Sequence, residues 1–495
     1  MLNGQASEQV VTLEHFFDVA MSGRRSDVEA LLERFPASLR IRDPIAIALR
    51  AMKAVTSGDL PGGLALLKRV ASHCSDHQRA YFIDLLIPLL VNTNKVAEAA
   101  EWLDGAGTVP PDLTAPFLSS RAVVSARLGN DAASAAFAAE ALRTGRMLEN
   151  ALLVGRVLHR CGLAAFYRED FEEAQELALE SARLHERMES HRNAATAYSI
   201  LYIIAHDWLN DPDVTRFYAR RMTMSAHAAG DLTLENFGLL YQLETAAEAG
   251  DARRFGSIRS RMLANPMNEQ FYRERFNYAM SETIAHGWAG HFEIARATLV
   301  SLRRIEGLSL PERALCDALL AMVAISSWEL DTARSLARRV ISQTAERAGV
   351  EPLFDSRRRK IARIIAAAAC TIIGDGVRGR RALSRSVDPD QRFAAILTQR
   401  GMDEERTPAL MRGYARFINE ACVAAAQARP ALGLTTAELE VLRALPDGVT
   451  LGSIASSLGK SRKTVEKQVG SIYAKLQVAN RAEAIRRARD LGIYA

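Results

Sequence analysis

The 495-residue sequence predicts an all-α protein. Its expected parts are an N-terminal α-solenoid of two-helix repeats over residues 1–400, a helix and linker over 401–433, and a compact four-helix unit over 434–495. Three observations carry this. The first 400 residues show helical periodicity and no strand alternation. Their apolar runs are interrupted by a recurring mark, about 35 residues apart early and about 40 apart from Gly129 onward. The C-terminal stretch instead holds short amphipathic segments separated by turn residues.

The marks run Ser22-Gly23, Ser57-Gly58-Asp59, Asn92-Thr-Asn94, Leu128-Gly129-Asn130-Asp131, Arg168-Glu169-Asp170, Leu209-Asn210-Asp211, Ala249-Gly250-Asp251, Ala289-Gly290-His291, Glu329-Leu330-Asp331 and Ile373-Gly374-Asp375. Gly or Asn ends one helix in the left-handed conformation. Asp or Glu then suits the positive N-terminus of the next. A small residue soon after, as in Phe171-Glu-Glu-Ala174, lets the paired helices approach closely. One such pair cannot bury its apolar face alone, so neighbours must stack. The tetratricopeptide signature with its 34-residue period is absent, so the repeats resemble that type only loosely.

Asp388-Pro389 predicts a helix to about Arg400, and Thr407-Pro408 another over Ala409 to about Gln427. Ala428 to Gly433 is a short linker.

Beyond it, Thr435 and Glu438 form a capping box opening a helix with Leu439, Val441, Leu442 and Leu445 on its apolar face. Thr450 caps a second, over Leu451–Ser457, and Gly459 suits a left-handed turn. In the third, over Arg462–Leu476 and capped by Ser461, Val465, Val469, Ile472 and Leu476 make one stripe. The opposite side carries Lys463, Lys467, Gly470 and Ser471, flanked by Thr464, Gln468 and Lys475. A fourth runs from about Asn480 to Leu491 with Ala484, Ile485 and Ala488 inside. A third helix with an apolar back and a basic front has the width of a DNA major groove.

The pieces L-T-x-x-E-x-E-V-L (434–442), G-V-T-x-x-x-I-A-x-x-L (448–458), S-x-K-T-V (461–465), I-Y-x-K-L-x-V-x-N-R-A-E-A (472–484) and the closing L-G-I resemble the LuxR-type (NarL/FixJ-like) helix-turn-helix domain from end to end. The repeats are more weakly similar to those of MalT-type LuxR regulators. The resemblance implies a recognition helix over 462–476, a homodimer formed through the fourth helix, double-stranded DNA as partner, and RNA polymerase as a further contact. Lys467 and Gln468, with Lys463 nearby, are the expected base contacts. Thr464, Ser471, Lys475 and Arg481 are the expected phosphate contacts. The sequence departs from the family at Glu466, usually basic; Gln468, usually His; and Gly470, usually larger and polar.

Charge agrees with this division. The net charge is +5, and residues 430–495 hold ten Lys/Arg and six Asp/Glu, a net of +4, leaving +1 for the rest. The basic excess sits where phosphates would be and does not coat the chain. Five scattered cysteines without a CxxC predict reduced thiols. The N-terminus lacks a signal-peptide pattern, and the apolar runs, including Tyr81–Val91 with Asp84 inside it, are too short to span a bilayer. A cytoplasmic protein without membrane contact is expected.

Other signals are set aside. Gly374 to Gly379 spells GxGxxG but follows an Ala-rich helical stretch, so a repeat turn is the reading. Gly459-Lys460-Ser461 lacks the Gly that a phosphate loop needs at position 454. His73 and His77 have no further ligands nearby. No catalytic constellation, cofactor or metal site is expected, and the chain is read as a non-enzyme. Fourteen of the 32 aromatics lie between Tyr198 and Phe292, a heavier core or a ligand groove. The run Arg357 to Lys360 reads as a solvated face. The repeats are expected to bind a small-molecule or protein effector. The alternative is a scaffold whose C-terminal module only dimerises.

Overall fold

The computed structural model describes residues 11–22, 24–209, 211–264, 272–305, 308–344, 353–375, 377–379, 411–428, 434–445 and 449–490. Among these there is helix and turn and no strand. No described helix is long and apolar enough to cross a membrane. The chain divides into two compact units, residues 1–247 with 251–278 and residues 248–250 with 279–495.

The first unit opens with α1 (Leu13–Ser22) and α2 (Arg25–Glu33). Hairpins follow: α3 (Pro44–Thr56) with α4 (Leu60–His73), α5 (Asp76–Asn92) with α6 (Val96–Asp104), and α7 (Thr114–Arg127) with α8 (Asp131–Gly145). Next come α9 (Ala151–Tyr167) with α10 (Phe171–Arg187) and α11 (His191–Ile204) with α12 (Pro212–Ala229). Most of α13 (Leu232–Ala249), all of α14 (Ala252–Ala264) and the start of α15 (Tyr272–Trp288) complete it. Packing runs between near neighbours in sequence: α7 lies on α8 and α9, α9 on α10, and α11 on α12. That is the pattern of a repeat stack, but the first helices also meet later ones: the Thr233 hydroxyl of α13 donates to the Val55 carbonyl of α3 at 2.8 Å, and Arg24 pairs with Glu189 at 2.7 Å.

The punctuation marks have a common geometry. Gly58, Asn94, Gly129, Glu169, Gly250, Gly290 and Gly374 all have φ between 61° and 98°. The N–H after each reaches back five residues: Asp59 to the Ala54 carbonyl at 2.8 Å, Asn130 to Ser125 at 2.9 Å, Asp375 to Cys370 at 2.8 Å. This is the Schellman closure, which satisfies the orphan carbonyls at a helix end. The Asp or Asn that completes it often starts the next helix too. Asp59 accepts from the Gly62 N–H, Asn130 from Ala133 and Asp170 from Glu173. Two residues thus stop one helix and cap its partner.

Close approach follows from small residues. A Cβ on Gly63 would lie 2.9 Å from the Ala51 carbonyl oxygen, so α3 and α4 can meet there only through glycine. The aromatics of this unit fill its core: Tyr198, Tyr202 and Phe276 are buried, and Tyr202 stacks on Tyr241 with ring centres 4.1 Å apart.

The second unit holds α16 (Phe292–Leu302), α17 (Leu310–Ser326), α18 (Leu330–Gln343) and α19 (Leu353–Ile372). The helix expected after Thr407-Pro408 is α20, described over Arg412–Ala428. That expected over 389–400 lies outside the described residues. Residues 314–326 of α17 are buried all round, because α18, α19 and α20 cover it. Phe417 of α20 is fully buried, edge-on to Phe292, and a Cβ on Gly287 would overlap its ring. The Arg416 guanidinium donates to the Gly250 carbonyl at 2.7 Å. The basic run at 357–360 is not simply solvated: Arg358 pairs at 2.8 Å with the buried Glu312. The GxGxxG stretch follows helix α19, with Gly374 at φ 87°.

Candidate nucleic-acid interface

Four short helices close around one apolar core at the C-terminus: α21 (Thr436–Arg443), α22 (Leu451–Ser457), α23 (Arg462–Leu476) and α24 (Arg481–Asp490). The local signals explain each start. Thr435 accepts from the Glu438 N–H while the Glu438 carboxylate accepts from the Thr435 N–H at 2.6 Å, a complete capping box. Thr450 accepts from the Ser453 N–H at 3.2 Å. Gly459 at φ 63° turns the chain, and Ser461 accepts from the Thr464 N–H at 3.1 Å to open α23. The end of α23 differs from the usual glycine stop: Gln477 itself takes φ 53°, and the Val478 N–H bonds the Tyr473 carbonyl at 3.0 Å.

The stripe Val465, Val469, Ile472 and Leu476 is buried against Leu442, Ile454 and Ile485. Lys463, Thr464, Lys467 and Gly470 are exposed on the far side. The basic front expected from the sequence thus stands clear of the core. Gln468 is half-buried, and its side-chain oxygen meets no hydrogen-bond donor among the described residues. Glu466 does not stand as an isolated acid: it accepts from the Arg462 guanidinium at 2.9 Å, one turn back. Gly470 faces open space, since a Cβ there would have no atom within 4 Å. Arg481 lies half-buried at the start of α24.

Ser471 and Lys475 have a further engagement that sequence spacing did not announce. The Ser471 hydroxyl donates to Glu438 at 2.6 Å, and the Lys475 ammonium donates to both Glu438 oxygens at 2.9 and 2.7 Å. Glu438 is 6% exposed. The Lys475 ammonium, then the Ser471 hydroxyl and the Thr435 backbone N–H, hold its carboxyl at about 2, well below the ordinary carboxylate value. One carboxylate therefore caps α21 and clamps α23 to it. A second cross-link is Lys460, whose ammonium donates to Glu440 at 3.0 Å. The only sequence hint of either is that Glu438 completes the capping box and so must point back toward the helix start.

Residues 432–488 match the family of bacterial regulatory proteins, luxR family (GerE). The chain thus carries a LuxR-family helix-turn-helix domain at its C-terminus, a module of DNA-binding transcription regulation. The match covers the module and not the helical body. No curated protein matches the chain.

Proposed function

We propose that this chain is a sequence-specific, cytoplasmic transcriptional regulator, in which α23 reads DNA and the helical body governs when it does so by binding a small molecule or a protein. The observation that carries this is the exposed pair Lys463 and Lys467 on a helix whose opposite stripe is wholly buried. Such a helix presents its front to a major groove without unfolding anything.

Lys467 and Gln468 contact bases, with Lys463 beside them. Thr464 and Arg481 hold phosphates, which fix register. Ser471 and Lys475 hold α23 in place through Glu438 first and meet phosphate second. Two modules pair through α24 on DNA, and RNA polymerase would be a further partner if the output is activation. No step of this reading requires the chain to be an enzyme.

The test is a gel shift of the full chain with its own upstream region, beside a variant carrying Lys467→Ala and Gln468→Ala. Base contacts contribute about 1–3 kcal/mol each, so losing two should lower the preference for the bound site by at least about thirtyfold. Weak, salt-sensitive binding should remain. Undiminished preference in the variant would show that the reading face lies elsewhere. No shift by the unsubstituted chain at low salt would favour a scaffold in which the module only dimerises.

A further inference from the structure

Among the described turns that close a helix in the left-handed conformation, most use Gly, and the others use Asn, Glu or Gln, with one exception. Between α17 and α18 the residue at φ 60° is Trp328. A bulky aromatic is poorly suited to this region, where the Cβ crowds the backbone. The turn's backbone closes as the glycine turns do. The Glu329 N–H bonds the Ala324 carbonyl at 2.8 Å, as the corresponding N–H does at the glycine turns.

The conformation is braced from α16. Arg296 donates to both carboxylate oxygens of Glu329, at 2.9 and 3.1 Å, and to the Ser327 hydroxyl at 3.2 Å. The residues on either side of Trp328 are thus held by one guanidinium. Unfavourable backbone persists where surroundings over-determine it, and such places tend to be functional.

The indole has a destination. Trp328 packs against the apolar core of the C-terminal module, where it is the one hydrophobic residue from outside the module among those described. The covalent path agrees. α20 packs on α17, the helix that ends at this turn, and runs into the five residues 429–433 that lead to the module. A chain of that length spans at most about 20 Å. A tether so short gives an effective concentration on the order of millimolar, so docking need contribute only about 4 kcal/mol to seat the module half of the time.

We propose that Trp328, on its Arg296-braced turn, is the docking point by which the helical body holds its own DNA-binding module. A change in the α16–α18 region would then alter the module's seating. This rests on the proposed function only in calling the module DNA-binding, and docking is measured without DNA.

The experiment is methyl NMR relaxation on the full chain, reading Ile454, Ile472 and Ile485 of the module against Ile325 and Ile365 of the body. In the unsubstituted protein both sets should tumble together. Trp328→Gly suits φ 60°, so it removes the indole and keeps the turn; the module methyls should then report a correlation time several-fold shorter, with body methyl shifts unchanged. Trp328→Phe keeps a ring and should stay coupled. Independent tumbling of the module in the unsubstituted chain, or unchanged slow tumbling in Trp328→Gly, overturns the proposal. If docking is lost in Trp328→Gly yet no variant shifts DNA, the docking stands and the DNA-reading function falls.

Discussion

Glu438 concentrates in one side chain what holds α23 in place. Its carboxyl sits near 2 because Lys475, Ser471 and the Thr435 N–H all favour the charged form. A lowered folded-state value means that ionisation stabilises the module above the ordinary carboxyl range, near 4.5, and that this contribution fades as pH falls toward 2. Glu438→Gln lacks it at every pH. The gap in module melting temperature between the two proteins should be full at pH 6 and narrow steadily toward pH 2. A gap that stays constant with pH would show that the pairing contributes no charge-dependent stability. Asp84 makes a comparable point in the first unit. It interrupts an apolar run, and no local signal says why. The structure supplies Arg156 at 2.8 Å and Arg160 at 2.5 Å, with Arg160 also bonded to the Pro116 carbonyl. Burial works to raise the Asp84 carboxyl value, and the two guanidiniums outweigh it and keep it low. Asp84→Ala removes the carboxylate from beside two buried guanidiniums and should cost about 3–5 kcal/mol in urea unfolding of the full chain. Both partners come from one distant helix, α9, which is why neither was legible in sequence.

Helix ends were far more legible, because stops and starts are local chemistry. The Gly-Asp marks predict turns, and Gly58-Asp59 and Gly250-Asp251 carry both the left-handed residue and the capping acid. The third C-terminal helix was expected over Arg462–Leu476 and is described over those residues. What periodicity could not give is the use of a face. Gly470 illustrates this: the sequence shows a residue poor for a helix interior, and the structure adds that it borders open space. Gly470→Ala should therefore stabilise the module by about 1 kcal/mol, the propensity difference between the two residues, with no steric penalty to offset it. Urea unfolding followed at the Ile472 methyl measures it, and a loss of stability would mean that the Gly470 backbone is needed as it stands. Trp328 is the converse case. Its mark was placed at Glu329-Leu330-Asp331, one residue late, because a tryptophan does not look like a helix stop.

At the scale of the molecule, composition separates the labours. Residues 430–495 hold +4 of the +5 net charge, so the helical body contributes little to phosphate attraction and most of the apolar burial. The sequence showed that division and the all-helical class. It did not show the two compact units, which part the repeats near residue 278. If α23 reads DNA, affinity and its salt dependence should reside in the module, while the body changes only how the module is presented. The most direct test is selection of bound fragments from genomic DNA by the full-length protein, at low and at physiological salt. Enrichment of a short common sequence with two-fold symmetry, lost in the variant carrying Lys467→Ala and Gln468→Ala, is the predicted result. Fragments no different from the input at either salt would contradict it.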